Sequence, residues 1–389
     1  LLALVLAARF RRPWPIMAGI LVACGSSTDM LKAVRTQALQ PALLSDSEPS
    51  FPTTRYQGSK AKLVDWIWTQ LASLDFETCL DAFGGTGVIA HRLKKEGKTV
   101  AYNDVLRFNY YLARGLIENS HVRLDEDEVE QLLIRNPNVQ YPTFVYDTFR
   151  DIYFTDEENK WIDQTITNIR RLADPYKFSL AFYALCQACI IKRPYNLFHR
   201  KNLYVRFAKV ERSFGNKASW DRPFPEWFRT FAVEANRAVF GNGKPNRALN
   251  FDAMQVPGSY DLVYIDTPYI PAHSTPIDYR DFYHFLEGLS DYEEWPKQID
   301  WQSKHLRLVP APTEWSIRKH VHGAFDRLFH KYRDSKLAVS YRSDGVPSEQ
   351  ELVKLMRQYK QTVEVARFGS YQYALSTNTK STEILIIGV

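Results

Sequence analysis

Cys79-Leu-Asp-Ala-Phe-Gly-Gly-Thr-Gly-Val-Ile-Ala90 runs from an apolar strand through a glycine-rich turn into a helix. Glycines at 84, 85 and 87 let a backbone approach a ligand where a Cβ would collide. The turn is not a phosphate-binding P-loop, because no Gly-Lys-Ser/Thr ends it. Moving outward, a helix is expected over 88–95. The next strand, Lys98-Thr-Val-Ala-Tyr-Asn-Asp104, then ends in an acid. An acid about twenty residues beyond such glycines accepts hydrogen bonds from ribose hydroxyls. Strand, turn, helix and strand in this order open an α/β sheet that takes a nucleoside-bearing cofactor. NAD and S-adenosylmethionine both satisfy the pattern so far.

Two further motifs narrow the choice. Downstream, the apolar strand Tyr260-Asp-Leu-Val-Tyr-Ile265 is followed by Asp266-Thr-Pro-Tyr269. A carboxylate, a rigid proline turn and an aromatic ring thus stand at the end of a strand, where open α/β sheets bind ligands. Asp266 can accept from an amine there, and Tyr269 can stack on a flat ring. Upstream, Arg55-Tyr-Gln-Gly-Ser-Lys-Ala-Lys62 precedes apolar residues at 63, 64, 67 and 71, a helical spacing. A Gly-Ser-Lys turn ahead of a helix offers N–H groups and a cation to an anionic ligand.

The wider chain is consistent with an α/β sheet interrupted by a mainly helical insertion. Strands are expected at 78–83, 99–103, 261–265 and 337–341, with more at 362–368, 371–376 and 383–389. The domain is expected to occupy 52–115 and 246–389, with residues 116–245 inserted. No internal repeat is present. The insertion is acidic in its first half, as in Asp125-Glu-Asp-Glu128, and basic in its second. Residues 192–247 carry 13 Lys or Arg against 4 Asp or Glu. Within Lys192-Arg-Pro-Tyr-Asn-Leu-Phe-His-Arg-Lys-Asn-Leu-Tyr-Val-Arg206, the cations Arg193, Arg200, Lys201 and Arg206 alternate with aromatic rings. That mixture suits phosphate contact and base recognition. The overall charge of +6 and 22 Tyr, 23 Phe and 9 Trp permit a polyanionic partner without requiring one.

Four cysteines form no disulfide framework, which fits a reducing cytoplasm. Cys186 and Cys189 sit in an apolar run and are expected in a buried helix rather than on a metal; no metal site is expected. Residues 1–51 are expected to be an N-terminal extension, disordered or upstream of the true start at Met17 or Met30. Leu-Val-Ala-Cys24 also resembles the end of a lipoprotein signal, a reading at odds with the rest of the chain. No apolar run reaches transmembrane length, so no membrane is expected.

Together these residues resemble the D12 class of DNA N6-adenine methyltransferases, the group that includes the Dam-type enzymes, from Tyr56 to Val389. The resemblance implies a Rossmann-like methyltransferase sheet whose last strand is antiparallel, with S-adenosylmethionine as cofactor and double-stranded DNA as partner. By the same resemblance Tyr56, Gly58 and Lys60 belong to the first cofactor motif, and Asp81, Phe83, Gly85 and Gly87 to the Asp-x-Phe-x-Gly-x-Gly motif. Asp104 is the ribose acid, and Asp252 contacts the cofactor on its adenine side. Asp266-Thr-Pro-Tyr269 matches the catalytic Asp-Pro-Pro-Tyr, with Thr267 replacing the first proline. The insertion matches the family's target-recognition region, and such enzymes can accompany a restriction endonuclease.

The implied chemistry is geometric. The N6 lone pair of adenine is delocalised into the ring. The Asp266 carboxylate and the Thr267 carbonyl would accept its two N–H bonds and make the nitrogen more tetrahedral. Pro268 would shape the turn, and Tyr269 would hold the flipped base by stacking. Methylation of RNA adenine or cytosine N4 remains open here. So does a catalytically weak cofactor- and DNA-binding protein, suggested by Thr267. Cytosine C5 chemistry is disfavoured, because none of the cysteines follows a proline.

Overall fold

The computed structural model describes residues 48–208, 217–271, 278–370 and 381–389. Seven strands form one sheet: β1 (Thr78–Asp81), β2 (Thr99–Asn103), β3 (Arg247–Leu249), β4 (Leu262–Ile265), β5 (Lys336–Arg342), β6 (Val363–Ser370) and β7 (Thr382–Gly388). Their order is β3-β2-β1-β4-β5-β7-β6. The first five are parallel to one another, while β7 runs antiparallel to both β5 and β6. The antiparallel final strand is the one the resemblance implied. The expected strands at 78–83, 99–103, 261–265, 337–341, 362–368 and 383–389 are found with small shifts at their ends. The three-residue β3 was missed, being too short to show a period. The strand expected at 371–376 lies outside the described residues, as does most of the extension at 1–51.

Side-chain alternation sorts the sheet residues into two cores. Cys79, Leu262 and Tyr264 join one hydrophobic cluster. Leu80, Val263 and Ile265, one residue out of phase, join the other. The second cluster is covered by helices that include Phe325, Leu328 and Leu352. The first lies under the helices of the insertion. Helices α1 (Val64–Leu71), α2 (Val88–Lys95) and α3 (Arg107–Ala113) come before it. Helices α4 (Glu126–Leu133), α5 (Phe144–Thr148), α6 (Asp156–Arg170) and α7 (Pro175–Ile191) lie within it, as does the helix Phe224–Ala238.

The sequence explains these helices locally. Asp125 and Glu128 form a capping box at α4, and Thr155 and Glu158 form another at α6. Asp174 caps α7, with Pro175 in its first turn. From Ser179 to Ile191 every side chain of α7 is buried, including Cys186 and Cys189, so the buried-helix reading holds. Residues 116–245 are mainly helical as expected, but they share one hydrophobic cluster with the sheet. They therefore belong to the same body, Ala42–Val389. That body also begins before residue 52. Ser50 N–H donates to the Arg237 carbonyl at 3.3 Å, and the Phe51 ring meets His91 edge-on at 5.2 Å.

Candidate active site

Each parallel strand ends in a loop on one edge of the sheet, and the strand order reverses between β1 and β4. A ligand crevice is expected outside the carboxyl ends of strands at such a switch point. Asp81 ends β1, Asp104 follows β2, Asp252 follows β3 and Asp266 follows β4. All four line one cavity of about 1160 Å³. That exceeds the space a single drug-sized ligand needs and leaves room for a nucleoside cofactor beside a base. Tyr56, Gly58, Lys60, Phe83, Gly85, Thr267, Pro268 and Tyr269 line it as well.

The glycine turn is built for close approach. A Cβ on Gly84 would fall 2.0 Å from the Tyr102 ring. Gly87 caps α2 with φ of +81°, where an L side chain is strained. Asp104 ties the turn to β2, accepting from the Gly85 N–H at 2.9 Å and the Leu106 N–H at 2.8 Å. Burial nonetheless pushes its carboxyl up to about 6. Asn103 fastens the neighbouring loop, donating to the carbonyls of Ala82 and Phe251, both at 3.1 Å. Tyr56 is the middle ring of a stack, 4.4 Å from Tyr283 and 5.7 Å from Tyr279 between centroids.

Asp81 stands apart. It is 1% exposed, and among the described residues neither carboxylate oxygen makes a hydrogen bond of good geometry, although the Ala90 backbone favours its ionised form. Burial, then the negative charges of Asp266 and Asp104, hold its pKa well above the ordinary carboxylate range. A buried acid left without a partner is costly unless a ligand completes it. Here it faces a cavity, and a cationic donor there would relieve it. S-adenosylmethionine carries two cations, an ammonium that donates hydrogen bonds and a sulfonium that offers charge alone, so the residues present fit that cofactor.

Lys60 lines the cavity, and its ammonium is held by Tyr269, Asp266 and Glu383. Nζ lies 2.5 Å from the Tyr269 hydroxyl, 2.9 Å from Asp266 Oδ1 and 3.3 Å from Glu383 Oε1. Burial alone would lower its pKa, but the carboxylates of Asp266 and Glu383 hold it above the usual lysine value. The hydrogen bonds and ion pair on Asp266 all fall on Oδ1, which leaves Oδ2 for a substrate donor among the described residues. Burial raises Asp266 to about 6 against the pull of Lys60. The Tyr269 ring carries the Lys60 ammonium 4.7 Å from its centroid and meets Tyr341 edge-on at 5.1 Å. Thr267 is buried, and its hydroxyl makes no hydrogen bond.

The basic stretch requires correction. Arg193 is 1% exposed and donates to the carbonyls of Leu197 at 3.2 Å, Tyr153 at 3.1 Å and Arg200 at 3.2 Å. It also donates to Asn202. Arg206 is 5% exposed, with both terminal nitrogens on Glu158, at 2.6 and 2.7 Å. Both arginines are buried with donors already committed to acceptors within the insertion. Arg200 and Lys201 remain exposed, and Arg200 lines the cavity mouth. Tyr279, Arg280, Arg307 and Trp315 line the same cavity, and nothing in the sequence singled them out. Tyr195, one of the aromatic rings interleaved with the cations of the basic stretch, lines the cavity too, 56% exposed with φ of +64°. A tyrosine in the left-handed region is uncommon, and no sequence period reveals it.

Comparison with known proteins agrees with this geometry. The profile of the D12 class N6 adenine-specific DNA methyltransferases matches residues 56–301. The chain is 28% identical over 327 residues to the Type II methyltransferase M2.HphI of Haemophilus parahaemolyticus, covering 82% of this chain and 91% of that protein. It is 24% identical to M.NlaIII of Neisseria lactamica, covering 81% and 89%. It is 23% identical to M.FokI of Planomicrobium okeanokoites, where it spans 47% of a longer protein. With the family's motifs arranged around one cavity and its profile matched over most of the chain, the protein belongs to the D12 class of N6 adenine-specific DNA methyltransferases.

Proposed function

We propose that this enzyme modifies adenines flipped out of duplex DNA, as the methylase of a restriction–modification pair, with Asp266 as the acceptor for the target amine. Family membership gives the reaction itself, methyl transfer from S-adenosylmethionine to N6 of adenine in DNA. The cofactor supplies an electrophilic methyl on a sulfonium. The protein's residues do the rest. Asp81, Asp104 and Asp252 hold the cofactor, and the glycine turn lets it approach the sheet edge. Asp266 Oδ2 and the Thr267 carbonyl accept the amine's two N–H bonds, so its lone pair turns toward the methyl group. Thr supplies the same backbone carbonyl as proline, so activity is retained.

The observation that carries this reading is the buried Asp81 carboxylate at a cavity that Asp266, at the end of the adjacent strand, also lines, with its Oδ2 unpartnered among the described residues. The cavity-lining cations Arg200, Arg280 and Arg307, with exposed Lys201 next to Arg200 in the chain, are suited to meet phosphates. The Type II relatives support pairing with a cognate endonuclease. The test is methyl transfer to duplex DNA from a host without adenine methylation, read by nucleoside analysis and methylation-sensitive sequencing. N6-methyladenine at one short sequence is expected. Methyl transfer to RNA only, or to cytosine, would overturn the reading.

A further inference from the structure

Glu383 has no place in the scheme above, yet it touches its centre. It is the second residue of β7 in an otherwise apolar run, Glu383-Ile-Leu-Ile-Ile. Because β7 is antiparallel to β5, its first residues reach the same edge as the end of β4, with Glu383 opposite Arg342. The side chain is fully buried. Its Oε1 accepts from the Ser340 hydroxyl at 2.7 Å and lies 2.7 Å from the Tyr269 hydroxyl and 3.3 Å from Lys60 Nζ. Burying a second carboxylate beside Asp266 is expensive, and a neutral side chain would serve packing alone.

Proton counting shows what it can do. The Tyr269 hydroxyl accepts from Lys60, so its single proton is left for a carboxylate. Among the described residues two are within reach: Asp266 Oδ1 at 2.9 Å and Glu383 Oε1 at 2.7 Å. If Asp266 took both that proton and the whole Lys60 charge, it would be a weak acceptor for the substrate amine. We propose that Glu383 is a positioning residue for methyl transfer: it takes the Tyr269 proton and shares the Lys60 ammonium, leaving Asp266 basic and aimed at the target amine. This rests on the reading of Asp266 given above. The groups facing Asp266 agree. Lys60 pulls its pKa down and Glu383 pushes it up, and Tyr264, Tyr279 and Asp81 lie within electrostatic reach.

The test uses the full chain, tritiated S-adenosylmethionine and unmethylated duplex DNA across a pH range. Glu383→Gln keeps the shape and removes the charge, so Lys60 pairs with Asp266 alone. The acid limb of the kcat profile should then move down by about one pH unit. The value of kcat should fall about tenfold, while equilibrium binding of S-adenosylmethionine is unchanged. Glu383→Asp should restore part of kcat and the limb. Tyr269→Phe should leave the limb in place, because the proton it removes belongs to Glu383. This variant keeps the proposal testable even if Glu383→Gln does not fold. A limb that rises in Tyr269→Phe would put that proton on Asp266 and overturn the proposal. So would an unchanged profile in a folded Glu383→Gln. If the wild-type chain transfers no methyl group to DNA at all, the reading of Asp266 fails as well. Transfer by the wild type with an unaltered Glu383→Gln profile fails the positioning role alone.

Discussion

The carboxyl edge of the sheet and the basic stretch of the insertion make an instructive pair. Both are rich in charge, and both looked functional in the sequence. At the sheet edge, Asp81, Asp104, Asp252 and Asp266 converge on one cavity. In the insertion, two of the four singled-out cations turn inward. Arg193 and Arg206 are buried on carbonyls and on Glu158, while Arg200 and Lys201 stay outside. The difference is topological. A residue just beyond a parallel strand is carried to the ligand edge by the fold itself. A residue in the loops and short helices of the insertion points wherever local packing sends it.

The largest effect expected at the sheet edge is from Asp266→Ala. The change removes the acceptor for the amine but leaves Asp81, Asp104 and the glycine turn intact. The value of kcat should fall on the order of 10²–10³-fold, while S-adenosylmethionine binds nearly as before. Single-turnover methylation with parallel equilibrium binding measures both. Equal losses in binding and turnover would make Asp266 part of the cofactor site and erase the division drawn here.

In the insertion, Arg193→Ala should strike stability instead. It strips a buried side chain and leaves the carbonyls of Tyr153, Leu197 and Arg200 without their donor. A loss of about 3–5 kcal/mol is expected from the packing and the unpaired acceptors. Urea unfolding would report it. A variant as stable as the wild type but unable to bind DNA would return Arg193 to the interface.

How much was legible follows the same line. The strand–glycine–helix unit, the acid after β2 and the Asp266-Thr-Pro-Tyr269 turn were visible because each couples an apolar run to a fixed offset. The antiparallel last strand came only with the family resemblance, and the strand order was not read at all. Glu383 was within the expected strand at 383–389, but its role depends on which edge that strand's start reaches. Tyr279, Tyr283, Arg280 and Arg307 were invisible, because the segment that follows Tyr269 has short helices and no sustained period. The burial of Arg193 and Arg206 was invisible as well, since their acceptors are backbone carbonyls and a glutamate far away in sequence.

Asp81 offers an intermediate effect and a clear sign. Its folded pKa is raised above that of an unfolded carboxylate, so the folded protein holds the proton more tightly. Without cofactor, stability is therefore highest below the unfolded pKa and falls as pH rises above it. At pH 7, Asp81→Asn should stabilise the cofactor-free protein by about 1–3 kcal/mol, the order of an unpaired buried polar group. The same change should weaken S-adenosylmethionine binding. Thermal melts with and without S-adenosylmethionine separate the two. A variant less stable than the wild type without cofactor would mean that the carboxylate is satisfied in solution.

The smallest effect should come from the exposed half of the basic stretch, and it is the sharpest test of the comparison. Arg200 is exposed and lines the cavity mouth. Its carbonyl, not its guanidinium, serves Arg193. Arg200→Ala should therefore leave stability within about 0.5 kcal/mol of the wild type, as surface changes usually do. If the guanidinium meets a phosphate, affinity for DNA should fall about equally on all sequences. The slope of log K against log salt should flatten by about one unit. If it reads a base edge instead, the loss should fall on one position of the recognition site, at about 1–3 kcal/mol, with the slope little changed. Binding at several salt concentrations, on the methylated sequence and on single mismatches, distinguishes these outcomes. Lys201→Ala should resemble the phosphate case, because a lysine is a point charge without a bidentate fork. Unchanged affinity and slope in both variants would remove the whole stretch from the interface, and leave DNA contact to Arg280 and Arg307.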